Sequence, residues 1–194
     1  MTIANNIAFD IDGTLVDLVG QIKITVKEMF NVKLIVGNTF RLNTEPPISS
    51  DEMWEAIWTA YTRHDQLVVY PDVSDMLQKL YDITGEAPLI ITARPDNKTS
   101  FHLAWLAVFN FCPVPFKLIC TGGRDKIEFL DNVDFYVEDR RRNAIDLAKA
   151  GKYIYLIDKP YNQIVEPIKN IERISCIGDL LPVIDKHVRY DRAA

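Results

Sequence analysis

The chain has 194 residues, 48% hydrophobic, 25% charged and 10% aromatic. This composition supports a core-forming domain with room for an insertion and excludes disordered, collagen-like and low-complexity chains. Its 22 basic and 27 acidic residues leave a formal net charge of −5, which argues against a general nucleic-acid coat or a polybasic membrane anchor but leaves room for a local basic pocket.

Elements follow in chain order. An apolar run, Ile7-Ala8-Phe9, opens the pattern. Two helical patterns come next, Gly20–Phe30 and Asp51–Asp65, the second preceded by a Ser49-Ser50 cap signal. Between them Gly37, Pro46 and Pro47 mark a loop. Asp72 is placed to cap a helix through Leu77, Leu80 and Tyr81 that stops at Gly85. After the run Leu89-Ile90-Ile91, Asp96 or Asn97 caps a helix reaching about Phe109. The runs Lys117–Cys120 and Phe135–Val137 follow, then a helix from Asn143 to Ala150 ending at Gly151. Tyr153–Ile157 is a fifth strand, Ile174–Ile177 a weaker sixth, and a last helix begins near Asp179.

Short, nearly continuous apolar runs alternating with helices predict an α/β fold around a parallel sheet buried on both faces. Segment 17–70 breaks the alternation and reads as a helical insertion after the first strand. The expected domains are therefore residues 1–16 with 71–194, and 17–70. No basic segment followed by an apolar one opens the chain, so no signal peptide is expected. The most apolar stretch, Phe101 to Phe111, is short for a bilayer and interrupted by His102 and Asn110. No membrane association and no stable nucleic-acid partner are expected, and oligomeric state is not legible. Cys112, Cys120 and Cys176, with no C-x-x-C spacing, read as reduced thiols of a cytoplasmic protein.

The sharpest feature is Phe9-Asp10-Ile11-Asp12-Gly13-Thr14, two carboxylates two residues apart where an apolar strand ends. Residues i and i+2 of an extended segment share a face, so both can address one site at the carboxyl rim of the sheet. Two anions so close need a cation, a proton or hydrogen bonds, and magnesium with oxygen ligands suits them. An EF-hand loop also begins D-x-D, but its sixth and twelfth positions are here Leu15 and Gln21, which rule it out. The second strand ends Thr92-Ala93-Arg94, the third leads into Thr121-Gly122-Gly123-Arg124-Asp125-Lys126, and the fourth into Glu138-Asp139-Arg140. Hydroxyl, ammonium and metal-binding carboxylates are what a transferring phosphoryl group requires. No Walker A, G-x-G-x-x-G or G-x-S-x-G sequence is present.

Asp10-x-Asp12-Gly13-Thr14, then Thr92, Lys126 and Glu138-Asp139 together resemble the four ordered motifs of the haloacid dehalogenase-like phosphatase superfamily. The runs around Arg124-Asp125-Lys126 and Glu138-Asp139-Arg140 further resemble its 5′(3′)-deoxyribonucleotidase branch. The resemblance implies a Rossmann-like sheet of order 5-4-1-2-3 with a small helical cap after strand 1. It implies Asp10 as nucleophile, Asp12 as general acid and base, and Thr92 and Lys126 on the phosphoryl oxygens. Mg²⁺ would be held by Asp10, the backbone carbonyl of Asp12, and Asp139, with Glu138 supporting them. A carboxylate at Asp12 resembles the phosphatases rather than the dehalogenases of this fold, and its anionic neighbourhood is expected to keep it protonated. The implied substrate is a small phosphorylated molecule, a nucleoside monophosphate first. The alternatives are another phosphometabolite, a polynucleotide 3′-phosphate, or transfer of the phosphoryl group to an acceptor other than water.

In the insertion Trp54, Trp58 and Tyr61 share one helical face; the stripe either packs the insertion's own core or, with Phe40, offers a ring for a nucleobase. Arg94 and Arg140 are candidate substrate-binding arginines. Cys120 lacks a recognisable base, and His64, His102 and His187 lack partners at metal spacing.

Overall fold

A computed structural model describes residues 7–38, 40–163 and 167–184. Strand β1 (Ile7–Phe9) is followed by helix α1 (Leu18–Phe30), strands β2 (Lys33–Val36) and β3 (Leu42–Glu45), and helix α2 (Ser50–Thr62). Then come α3 (Val73–Thr84), β4 (Leu89–Thr92), α4 (Lys98–Phe109), β5 (Lys117–Cys120), β6 (Phe135–Glu138), α5 (Arg141–Lys149), β7 (Tyr153–Ile157) and β8 (Ile171–Ile174).

One six-stranded sheet runs β5-β4-β1-β6-β7-β8, every pairing in it parallel. The expected five-strand order is present as β7-β6-β1-β4-β5, with β8 added at the outer edge. The sixth strand lies three residues earlier in the chain than the apolar run suggested, with Ile154 paired to Ile171 and Ile157 to Ile174. Glu172 and Arg173 interrupt its apolar signal, and of its four residues only Ile174 is buried. Central β1 is buried throughout, as a strand covered on both faces requires.

The helices follow their periodicity. Val73, Met76, Leu77 and Leu80 are the buried stripe of α3, and Gly85 ends it in the left-handed region at φ 69°. Asn97 caps α4 by accepting from the Ser100 amide at 2.9 Å. Asp72 stands at the N-cap of α3 but makes no capping bond there; its φ is +65°.

The insertion departs from the helical expectation. Residues 33–36 and 42–45 pair antiparallel, Leu34 opposite Thr44 and Val36 opposite Leu42, so the Gly37 region is the turn of a hairpin. Ser49 and Glu52 form a capping box at the start of α2. The chain leaves and returns side by side: the Asp17 amide donates to the Val68 carbonyl at 2.8 Å and the Tyr70 amide to that of Leu15 at 3.0 Å. Leu18, Ile22, Val26, Ala56 and Ala60 of the insertion join the buried cluster that also holds Phe9 and Val137. Among the described residues no helix is long and apolar enough to cross a membrane.

Candidate active site

At β1 the connections switch sides: β4 and β5 lie on one flank, β6, β7 and β8 on the other. Such a switch point opens a crevice at the carboxyl ends of the strands, and the residues following β1, β4, β5 and β6 converge there.

On the β6 flank Lys126 is buried with its Nζ 2.8 Å from Asp10 Oδ1 and 2.8 Å from Glu138 Oε2. Glu138 also accepts from the amides of Asp139 at 3.2 Å and Arg140 at 3.0 Å, and from Asn143 Nδ2 at 3.2 Å. Asp139 Oδ2 accepts from the Tyr161 hydroxyl at 2.6 Å, and Asn162 Nδ2 donates to the Asp139 carbonyl at 2.6 Å. Its other oxygen, Oδ1, is buried without a hydrogen-bond partner. Gly13, at φ +92°, makes room for this carboxylate: a Cβ there would lie 2.0 Å from Asp139 Oδ2.

The charges shift one another in opposite senses. Burial pushes Asp10 up to about 7 even though Lys126 pulls it down. Asp139 is raised well above its ordinary value by burial and by its neighbours Glu138 and Asp10. For Glu138 burial is outweighed by Lys126 and the surrounding donors, which hold it below its usual value. Lys126 is raised because Asp10 and Glu138 overcome its desolvation. Oxygens of Asp10, Glu138 and Asp139 lie within 4.8 Å of one another. Two of the three carboxylates share one ammonium, and the third, Asp139, keeps one oxygen as an unpartnered acceptor. This donor set suits a hard divalent cation.

On the β4 flank Arg94 binds Asp12 in bidentate fashion, Nε to Oδ2 at 2.9 Å and Nη2 to Oδ1 at 2.6 Å. Thr92 Oγ1 stands 3.4 Å from Asp12 Oδ2. The two motif carboxylates thus reach one rim but engage opposite partners, Asp10 with Lys126 and Asp12 with Arg94. The charged group in contact with Asp12 is the Arg94 guanidinium. Arg94 is correspondingly 1% exposed, not an open substrate arginine.

Over the β6 flank lies a cavity of about 790 Å³ whose walls include Phe40, Arg124, Lys126, Arg140, Arg141 and Tyr161. Phe40, beside the hairpin turn, meets Tyr161 edge-on at 4.9 Å, and the Arg140 guanidinium lies 3.9 Å from its ring centre. Of the aromatic stripe on α2, Tyr61 reaches the rim, with the Arg94 guanidinium 4.3 Å from its ring centre. Trp54 and Trp58 stand 62% and 38% exposed, so Trp54 does not pack an insertion core. Cys120 is pushed up to about 11 by burial, unsuited to a thiolate nucleophile. His64 sits beside Asn110 on the surface; His187 lies outside the described residues.

Tyr161 and Asn162 are site residues that the sequence did not reveal. They follow β7, 22 and 23 residues beyond Asp139, in a segment with no motif, and the β6–β7 pairing alone brings them back to it.

No protein-family model matches the chain. It is 30% identical to a protein provisionally named nucleotidase YqfW, of Bacillus subtilis, across 66% of this chain and 66% of that protein, just under two thirds of the relative's length. It is 26% identical to nucleotidase CA_C3379 of Clostridium acetobutylicum, across 93% of this chain and 94% of that protein. Among solved structures, a provisionally assigned haloacid dehalogenase-like hydrolase of Bacteroides fragilis matches with a TM-score of 0.59 at 18% identity, over 90% of this chain and 98% of that one.

Proposed function

We propose that this chain, a member of the haloacid dehalogenase-like superfamily, is a Mg²⁺-dependent phosphomonoester hydrolase acting first on nucleoside monophosphates. The carrying observation is the buried Asp10–Lys126–Glu138–Asp139 cluster at the sheet's switch point, with Asp139 Oδ1 left open. In this reading residues 1–16 and 71–194 form the catalytic core and 17–70 its cap.

Asp10 attacks phosphorus in line, so that an aspartyl-phosphate divides one difficult displacement into two. Lys126 and Thr92 hold the phosphoryl oxygens. Asp12 gives a proton to the leaving oxygen and then takes one from the water that attacks the intermediate. Asp10, Asp139 and the Asp12 carbonyl would hold Mg²⁺, which offsets the repulsion between carboxylate and phosphate. Glu138 fixes Lys126 and, through the adjoining amides, the turn that carries Asp139.

Three things support the nucleotide: the nucleotidase names of the two relatives, a cavity in the size range of small-molecule sites, and the Phe40–Arg140–Tyr161 group in its wall. Free Cys112, Cys120 and Cys176 support a reducing, cytoplasmic setting.

The test is inorganic phosphate release from nucleoside monophosphates, sugar phosphates and 3′-phosphorylated oligonucleotides, with Mg²⁺ or with EDTA. Nucleotide turnover abolished by EDTA is expected. No turnover on any ester rejects the hydrolase, and turnover indifferent to EDTA rejects the metal. Phosphate appearing on an added alcohol rather than in solution identifies a transferase.

A further inference from the structure

We propose that Arg94 is the positioning residue of Asp12 and does not bind substrate. The inference rests on reading Asp12 as the proton donor and acceptor of a phosphomonoesterase.

The guanidinium is buried, and two of its three nitrogens are committed. Nε and Nη2 are both committed to the Asp12 carboxylate, at 2.9 and 2.6 Å. Nη1 is buried and has no partner, and the Tyr61 ring covers the group at 4.3 Å. The Arg94 side chain is 0% exposed, whereas that of Asp12 is 13% exposed. Only the carboxylate of the pair opens toward the crevice. To touch a phosphoryl oxygen through Nε or Nη2, Arg94 would have to abandon Asp12, and Nη1 is itself buried.

The backbone fixes the same arrangement. The Arg94 amide donates to Thr92 Oγ1 at 3.3 Å, and its carbonyl accepts from the Gly122 amide at 3.0 Å. The residue is thus tied to the ends of both β4 and β5. From this base the planar fork sets the plane of the Asp12 carboxylate, which a point charge such as lysine cannot do.

The placement matches the proton traffic. As the ester P–O bond breaks and the Asp10–phosphorus bond forms, the proton on Asp12 passes to the leaving oxygen. A carboxylate remains, and Arg94 Nε and Nη2 already stand where its charge appears. In the second displacement the water oxygen bonds to phosphorus as the Asp10–phosphorus bond breaks and frees the Asp10 carboxylate, and Asp12 takes the water's proton while the fork keeps it aimed at the same place. Tyr61 belongs to α2, so the insertion supplies the cover that keeps Arg94 on Asp12.

A leaving-group comparison tests the inference. The first chemical step, read as kcat/KM, is measured for a nucleoside 5′-monophosphate, whose alkoxide needs a proton, and for p-nitrophenyl phosphate, whose phenolate does not. Arg94→Met is expected to lower kcat/KM about 100-fold for the nucleotide and less than about 5-fold for the aryl ester. Equal losses on both esters, as a phosphate-binding arginine would give, overturn the proposal. Arg94→Lys retains the buried cation without the fork and is expected to show the same asymmetry. If Arg94→Met does not fold, Asp12→Asn/Arg94→Met removes both charges and is expected to be no slower on the nucleotide than Asp12→Asn alone. A further multiplicative loss in that double variant overturns the proposal. Wild-type protein that hydrolyses neither ester overturns the phosphatase reading and this inference with it.

Discussion

Two buried charge clusters flank the end of β1, and they are balanced differently. On the β4 side one carboxylate meets one guanidinium through two hydrogen bonds, at 2.6 and 2.9 Å. On the β6 side the Lys126 ammonium bridges Asp10 and Glu138, and Asp139 lies beside them, held by the Tyr161 hydroxyl. The first cluster is closed: each Asp12 oxygen meets one Arg94 nitrogen, and its geometry is fixed. The second is open, with Asp10 pushed up to about 7 and Asp139 also raised while Glu138 is lowered. A closed pair suits a group that must point the same way through two steps. An open cluster suits a cation and a phosphoryl group that bring the missing charge with them.

The largest test of this contrast removes the nucleophile. Asp10→Asn is expected to cut phosphate release by at least about 10⁴-fold; a variant retaining full activity would remove Asp10 from that role. The same substitution relieves the crowding, so the variant is expected to melt higher than wild type at pH 8 without metal, read by circular dichroism. Removing one partner of the closed pair has the opposite effect. Asp12→Ala leaves Arg94 buried without its counter-charge, and a loss of about 3–5 kcal/mol in urea unfolding is expected.

Acidity separates the clusters next. Metal-free Asp10 keeps its proton to about pH 7, against an ordinary value of 3.8, and Asp139 shifts in the same direction. Between those values the folded chain binds more protons than the unfolded one, so its stability falls as pH rises. The EDTA-treated protein is therefore expected to lose melting temperature from pH 5 to pH 8. Mg²⁺ takes the ionised carboxylates and is expected to restore most at pH 8, releasing protons as it binds. A melting temperature that rises across that window, or a Mg²⁺ effect largest at pH 5, would contradict an open acidic cluster.

The closed pair and the open cluster were not equally legible in the sequence. All their charged members lie on motifs, because a strand of alternating faces delivers Asp10 and Asp12, or Thr92 and Arg94, to one rim. Which charge pairs with which is set by strand order, and spacing along the chain does not carry it. The i, i+2 rule placed both acids at the site, but the flanking strands drew them apart. Tyr161 and Asn162 were invisible for the same reason, since only the β6–β7 register returns them to Asp139. The β2–β3 hairpin was missed because each strand has four residues, too few for alternation to outweigh Gly37, Pro46 and Pro47.

Tyr161 gives a finer measure of the open cluster. Its hydroxyl holds Asp139 Oδ2 at 2.6 Å and leaves Oδ1 for a ligand. Tyr161→Phe keeps the ring against Phe40 and deletes that bond. Mg²⁺ affinity by titration calorimetry is expected to fall about 10–100-fold, the usual effect of losing a hydrogen bond that orients a metal ligand. Unchanged affinity would mean that Gly13 and Asn162 suffice to orient the carboxylate.

The smallest expected effect on stability lies on the exposed face of α2. Trp54 is 62% exposed on α2 while Tyr61, two turns along the same face, is committed to Arg94. A large apolar side chain left in solvent contributes little to folding, so Trp54→Ala is expected to change stability by less than about 0.5 kcal/mol. Base–aromatic stacking is worth about 1–3 kcal/mol, so if Trp54 or the half-exposed Trp58 receives a nucleobase, alanine at that position raises KM for nucleotides about 5-fold or more. The same variants should leave KM for a sugar phosphate unchanged. A nucleotide KM that does not move in either variant places base recognition with Phe40 and Arg140, on the open cluster's own flank, where a Phe40→Ala variant should then carry the whole effect.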